Sequence, residues 1–267
     1  MKQITPENRK EFDEKAKWYR EKAKEILEKE KEMLNLIKRD NSGVSYKKML
    51  LVEEMIYVST LFMAVNSLSL EILNTKNNEA LNDARKILYK AIIYLEDVVT
   101  DLVDAPFSEY SKKLEEIENI PLEKRYSIIQ KLGLSMRMLT DAYGENTKWK
   151  WSFVELEARF ATISKNLIDL KSAVKAFFDP RDPEYETTVS YLRLVMSLLD
   201  EAASGYRDKY ELSTRRLDDM RLGIQYLLAL RRIQILLGKS EEAENLKKKA
   251  LVWKSKMESD QKKERSN

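Results

Sequence analysis

The sequence predicts an all-α protein: an elongated antiparallel helical bundle with heptad, coiled-coil-like seams and eight or nine helices. Only 6 glycines and 5 prolines interrupt 267 residues, and so few helix-breaking residues favour long helices. Several segments repeat apolar residues in alternating steps of four and three, the spacing of coiled-coil-like packing. Apolar runs flanked by the turn pairs of a β-hairpin are absent from the sequence.

The amino-terminal part is predicted to form five helices. Thr5 is placed to cap the first helix, and Pro6 follows at a position where a missing N–H costs nothing. The seam of this helix contains one residue out of pattern, Glu30, and it ends at a turn cluster that begins with Asp40. The expected later boundaries are a second helix from Ser45 to about Asn74, a third that stops before Pro106, a short fourth from Ser108, and a fifth from Pro121 to Gly144.

The most regular seam predicts a single helix over residues 147–178, about 48 Å long at 1.5 Å per residue. Its members are nine apolar residues in unbroken heptad spacing: Trp149, Phe153, Leu156, Phe160, Ile163, Leu167, Leu170, Val174 and Phe177. Further helices are expected over residues 183–204, from Tyr206 to Gly238, and from Ser240 onwards. Gly205 either interrupts the helix that begins at residue 183 or is tolerated within it.

Two prolines predict where the chain divides. Residues 179–183 read Asp-Pro-Arg-Asp-Pro, the strongest turn signal in the sequence. We therefore expect an amino-terminal bundle over 1–178 and carboxy-terminal helical hairpins over 179–257, packed on the bundle or hinged to it. Residues 258–267 are purely polar and predict a flexible tail.

Composition argues against most catalytic chemistry. The chain has no histidine and no cysteine, which removes disulfides, thiol nucleophiles, imidazole bases and His/Cys metal sites. No glycine-rich phosphate loop occurs either. The expectation is a protein that is not an enzyme and has no cofactor and no metal. A net charge of +3 is too small to indicate nucleic-acid binding.

The stretch 55–70 contains no charged residue, yet its sixteen residues fall short of the ~20 that span a bilayer. It predicts a buried helix and no membrane span. The first residues contain no apolar leader, so a cytoplasmic protein is the expectation. An exported mature chain stays an alternative, because the absence of cysteine suits that environment equally well.

Part of the carboxy-terminal region resembles one helical hairpin of the tetratricopeptide family. The residues that carry the resemblance are Leu227, Leu230, Gly238, Ala243 and Ala250. They cover about a tenth of the chain and are packing positions only. Arg231, Gln234 and Lys247 depart from the pattern, which prefers a small residue and two aromatics there. The resemblance implies a groove that binds a peptide, against the alternative of ordinary hairpin packing.

Asp97, Asp101 and Asp104 are spaced to lie on one helical face, where carboxylates could hold a divalent cation. The pattern loosely resembles the aspartate-rich helices of prenyl-transferring enzymes. Those enzymes carry a tighter acidic cluster on two helices, and the doublet Asp218–Asp219 is flanked here by arginines. A solvated acidic face is the preferred interpretation, and a Mg²⁺-dependent helical enzyme is the least favoured function.

Five residues are candidates for contact with a partner: Trp149, Trp151, Arg231, Arg232 and Trp253. Tryptophan and arginine are the residue types that dominate protein interfaces. The competing interpretations are core packing for the tryptophans, with nucleic-acid or lipid contact also open for Trp149 and Trp151, and a solvated helix face or a phosphate-binding strip for the arginines. The first functional hypothesis is a non-catalytic scaffold that presents long helical surfaces to a protein partner or to copies of itself. The alternative is a tetratricopeptide-like adaptor with a groove centred on residues 206–257.

Overall fold

The computed structural model describes residues 5–145 and 147–266, and within them the protein is all-helical, as the sequence predicts. The described residues form ten α-helices and one π-helical turn, rather than eight or nine helices. The helices are α1 (Pro6–Arg39), α2 (Val44–Leu73), α3 (Asn78–Val98), α4 (Phe107–Glu115), α5 (Leu122–Tyr143), α6 (Lys150–Asn166), α7 (Leu170–Phe177), α8 (Tyr185–Lys209), α9 (Leu217–Leu236) and α10 (Ser240–Ser266), and the π turn is Tyr210–Thr214.

A first unit comprises Met1–Val98 and Ser127–Thr147. Thr5 caps α1 as predicted, because its hydroxyl accepts the N–H of Asn8 at 3.2 Å. The short turn at residues 40–43 returns the chain, so α1 and α2 pack as neighbours, and α2 packs on α3 in turn. The buried face of α1 consists of Phe12, Ala16, Ala23, Ile26 and the charged Glu30.

Helix α2 is apolar on most sides, and about half of its residues are buried. By length and composition alone it could cross a membrane, although 44% of the relevant window is buried inside the protein. The core helix of a water-soluble protein has the same properties when its neighbours cover it. The absence of a membrane span therefore stays a prediction.

A second unit comprises Val99–Tyr126 and Lys148–Asn267. Helix α8 packs on both α6 and α9, and α9 packs on α10. Arg125 closes the turn between α4 and α5: its guanidinium donates to the carbonyls of Ile117 at 2.7 Å and Ile120 at 2.8 Å. A cavity of about 430 Å³ lies beside this turn.

The single helix predicted over 147–178 is wrong, since the structure divides it into α6 and α7. Two polar side chains explain the break. The Asn166 amide donates to the carbonyls of Thr100 and Leu102, at 2.8 and 3.2 Å. The Asp169 carboxylate accepts the N–H of Lys171 at 2.9 Å and so caps α7. Side chains that bond to backbone groups in this way favour helix ends over helix interiors.

The predicted continuous helix from Tyr206 to Gly238 is also wrong. Helix α8 runs through Gly205 to Lys209, the π turn follows, and α9 begins only at Leu217. Arg215 adopts a left-handed conformation with φ 54° at the break. Lys209 and Asp219, both buried, pair at 3.2 Å across it. The sequence contains no glycine or proline between Lys209 and Leu217, so no local residue type predicts that the helix ends here. The break accompanies the ion pair between Lys209 and Asp219.

The predicted boundary at residues 179–183 falls inside the second unit, in the connection between α7 and α8. The helix expected from residue 183 begins at Tyr185 as α8, and the Asp182 carboxylate accepts the N–H of Glu184 at 2.8 Å before it. A hinge at this connection stays a prediction. Helix α10 continues to Ser266, so residues 258–266 of the expected polar tail are helical, and Tyr210 donates to Asp260 at 2.7 Å.

Candidate functional site

Three helices of the second unit, α8, α9 and α10, enclose an open cleft of about 490 Å³. Its walls combine apolar and polar side chains: Met196, Ser197 and Asp200 from α8, Leu230 and Gln234 from α9, and Glu242, Asn245, Leu246 and Lys249 from α10. Apolar walls with a few polar groups are the usual make-up of a binding site. Six of these nine residues fall within 206–257, the range of the tetratricopeptide-like alternative, and the three residues of α8 fall outside it.

Gly223 allows α8 and α9 to approach each other closely behind the cleft. A Cβ at this position would lie 3.1 Å from the carbonyl oxygen of Ala203 and 3.4 Å from the ring of Trp253. The Trp253 indole is buried, and two cations lie over its ring: Arg207 at 5.4 Å and Lys249 at 5.2 Å from the centroid. Lys249 also pairs with Asp200 of α8 at 3.2 Å, so one lysine side chain contacts both the buried Trp253 ring and a second residue of the cleft wall.

Gln234 supplies the unusual polar atom of the cleft. Its Oε1 is buried and accepts no hydrogen bond from any described residue. A buried acceptor without a donor costs about 1–3 kcal/mol. Glu242 also lines the cleft, and it makes no ion pair within the described part of the chain. The cleft therefore offers one desolvated acceptor and one uncompensated carboxylate beside an apolar surface.

The predicted aromatic contacts lie elsewhere in the second unit. Trp149 precedes α6 and is half-buried, with the ammonium of Lys148 5.3 Å from its ring centroid. Trp151 is half-buried too, with Lys150 at 5.1 Å. The third predicted tryptophan, Trp253, is buried, and its ring centroid lies 5.2 Å from the ammonium of the cleft residue Lys249.

The two predicted arginines of α9 differ in their surroundings. Arg231 is half-buried, and its Nε makes no hydrogen bond to the described residues. Arg232 is exposed and forms an ion pair with Asp104. Sequence reasoning missed Lys165, whose pKa is lowered chiefly by burial and further by the charge of Arg232, while the charge of Asp104 opposes the shift.

The structure does not place the three predicted metal-binding aspartates on one helical face. Helix α3 ends at Val98, so Asp101 and Asp104 lie beyond it. Asp97 pairs with Lys48 at 2.8 Å, and Asp104 pairs with Arg232. The described residues contain no group of three or more acidic side chains placed to hold a metal ion.

Two buried polar networks have no counterpart in the sequence predictions. Glu30 of α1 accepts the hydroxyl of Tyr94 and pairs with Lys90 at 2.8 Å. Burial raises the pKa of Tyr94, and the hydrogen bond to Glu30 raises it further. The other network joins Lys209 to Asp219 and Glu155. The only sequence signal for either was Glu30 itself, the one departure from the heptad seam of α1.

The model of the TP0443 family matches residues 8–261, which is nearly the whole chain. The chain belongs to this family. No curated protein and no solved structure matches it. The function of this TP0443-family chain therefore has to be inferred from its own side chains.

Proposed function

We propose that the chain is a non-catalytic adaptor that binds a short segment of a partner protein in the cleft between α8, α9 and α10. The observation that carries the proposal is the buried, unpaired Oε1 of Gln234 beside an apolar wall. A backbone N–H of a bound peptide is the commonest group that would satisfy such an acceptor. An apolar side chain of the same peptide would cover Met196 and Leu246.

Charge defines the partner segment further. Asp200 is compensated by Lys249, whereas Glu242 has no cation among the described residues. The cleft is therefore negative by one charge, and a lysine or arginine in the segment would complement it. The expected ligand is a short peptide with one basic residue close to one or two apolar residues.

Selection from a random peptide library on the immobilised full chain tests this proposal. We expect the selected sequences to combine a basic residue with apolar neighbours. Leu246→Asp should weaken their binding at least about tenfold, because it introduces a carboxylate into the apolar wall. Gln234→Leu should weaken it less, because it removes a single acceptor.

The matched control is Leu251→Asp, an equivalent change at an exposed position of α10 outside the cleft. It should leave peptide binding unchanged. A library that yields no enriched sequence, or peptides that bind wild type and Leu246→Asp equally, would contradict the adaptor.

A scaffold that self-associates is the second candidate, and a feature of the first unit supports it. Tyr46, Leu50 and Tyr57 are exposed, and their spacing places them on one face of α2. In this proposal the elongated antiparallel bundle presents that face to a second copy of the chain. Light scattering should then detect a dimer that Leu50→Lys dissociates; a monomer at all concentrations would remove this candidate.

A further inference from the structure

The cavity of about 430 Å³ beside the turn between α4 and α5 lies wholly within the second unit. Its walls come from α4 and the turn after it, the start of α5, the connection from α6 into α7, and Glu184 just before α8. A cavity of this volume is large enough for a small molecule. Its lining residues and those of the peptide cleft are different, so the two candidate sites are separate.

Arg125 gives this cavity a buried cation. The residue is 8% exposed and lines the cavity. One edge of its guanidinium, formed by Nε and Nη2, donates to the carbonyls of Ile120 and Ile117. Both partners are neutral, and no carboxylate of the described residues forms an ion pair with Arg125. Buried charges are normally compensated, because a desolvated ion without a counter-charge is costly.

The other edge of the Arg125 guanidinium is free. Nη1 donates to none of the described residues, and it is not among the unpaired atoms that the protein encloses completely. Because the rest of the residue is buried, we take the cavity that it lines as the route to this edge. The two N–H groups at such an edge point in parallel and match the two oxygens of a carboxylate.

The mouth of the cavity has the opposite charge. Glu115, Glu118 and Glu184 line it and are exposed, and none of them forms an ion pair within the described part of the chain. Lys171 is the exposed cation of the lining. The carboxylate of Asp169 accepts the N–H of Lys171 at 2.9 Å and caps α7. The cavity therefore has a cation on its buried side and an excess of carboxylates at its mouth.

The two charged regions of the cavity are close to each other without touching. Burial lowers the pKa of Arg125, and the neighbouring groups Tyr191, Glu184 and Asp169 oppose that shift. Glu184 thus lies within range of the guanidinium charge, although the two form no ion pair. This arrangement leaves space between them for a ligand that carries both charges.

We infer that this cavity binds a free α-amino acid with an apolar side chain. The carboxylate of the ligand would accept two hydrogen bonds from the free edge of Arg125 and supply its missing counter-charge. The ammonium, one carbon away, would lie toward the glutamates at the mouth. The side chain would pack on the apolar part of the wall, which comprises Phe107, Leu114, Ile120, Leu122, Ile168 and Ala173.

Isothermal titration calorimetry of the full chain tests the site with L-valine, L-leucine, L-isoleucine, L-methionine and L-phenylalanine. Each amino acid is compared with the same compound lacking its ammonium or its carboxylate; for leucine these probes are 4-methylpentanoate and isopentylamine. We expect saturable binding of at least one amino acid. Loss of either charged group should weaken that binding at least about tenfold, because each removes one charged contact.

Arg125 also holds the turn between α4 and α5, so its replacement would affect folding. The variant for the test is therefore the triple change Glu115→Gln, Glu118→Gln and Glu184→Gln, at exposed positions. It should weaken amino-acid binding at least about tenfold, because the ammonium loses its carboxylates. It should not weaken binding of the probe that lacks the ammonium.

The matched control changes three exposed glutamates of α4, α5 and α8 that lie outside the cavity lining: Glu109→Gln, Glu123→Gln and Glu186→Gln. It should bind the amino acid as wild type does. Both triple variants should still bind peptide in the cleft, so this inference and the adaptor can fail separately. The inference is overturned if none of the five amino acids binds saturably, if either probe binds as tightly as its amino acid, or if the cavity variant binds like wild type.

Discussion

Glu30 in the first unit and Lys165 in the second are both buried charged residues, exposed by 3% and 5%, and their surroundings differ. Glu30 accepts a hydrogen bond from Tyr94 and pairs with Lys90, so its charge is compensated within the fold. The ammonium of Lys165 lies 5.4 Å from the ring centroid of Tyr110, and no ion pair joins it to the described residues. The comparison sets a buried charge that is paired within the fold against a buried charge that faces an aromatic ring.

The largest expected effect concerns Glu30. Replacing it with leucine would leave the buried Tyr94 hydroxyl without its acceptor, so Glu30→Leu should lower the free energy of unfolding by about 2–3 kcal/mol. Lys90 is partly exposed and can reach water, which limits the loss. Urea unfolding measures the change, with Glu28→Leu at an exposed position of α1 as control. An effect no larger than the control would show that the pair contributes little.

The next effect is the pH dependence that Lys165 produces. Its folded pKa of about 8 lies below the ordinary value of 10.5, so the unfolded chain binds this proton more tightly. The free energy of unfolding should therefore rise as pH increases from about 8 to 10.5, by about 2 kcal/mol from this group. Below pH 8 the contribution is unfavourable and constant.

Lys165→Met isolates that contribution, because raised tyrosine pKa values act equally in both proteins. The variant should be as stable as wild type at pH 7 or more so, and the difference should shrink as pH rises to 10. Thermal unfolding at a series of pH values measures this. If Lys165→Met destabilised the protein as strongly as Glu30→Leu, Lys165 would belong with the structural charges.

The smallest expected effect concerns Asn166, the residue that follows Lys165. Asn166 is also buried in α6, but its amide donates to the carbonyls of Thr100 and Leu102. Asn166→Ala should cost about 1–2 kcal/mol, because two backbone carbonyls lose their donor. Measured by urea unfolding beside Lys165→Met, it tests whether partners, rather than burial, decide the cost.

Local signals in the sequence were sufficient for most helix ends. The Thr5 cap, the turn at residues 40–43 and the start of α10 at Ser240 all rest on neighbouring residues, and the structure contains them. The breaks at residues 167–169 and 215–216 were missed for a different reason. Each depends on a polar group whose partner is distant in sequence: Asn166 bonds to Thr100, and Lys209 reaches Glu155.

The candidate sites show the same limit. The predicted Arg232 and Asp104 are 128 positions apart, and they form an ion pair near Lys165, which no local pattern distinguished from other helical lysines. The predicted Trp253 is buried and lies against one cleft residue, Lys249. In the sequence, Gln234 was only a departure from the tetratricopeptide-like pattern. The structure shows that its Oε1 is buried and has no hydrogen-bond donor among the described residues.

By itself the sequence determined the helical class, most helix ends and the absence of histidine and cysteine chemistry, because those properties follow from composition and from contacts within a turn or two of helix. Only the tertiary structure decided which charges are buried and which of them have partners. Burial and pairing depend on helices that are distant in sequence. The local sequence around a lysine therefore does not show whether its side chain is solvated or buried in the core.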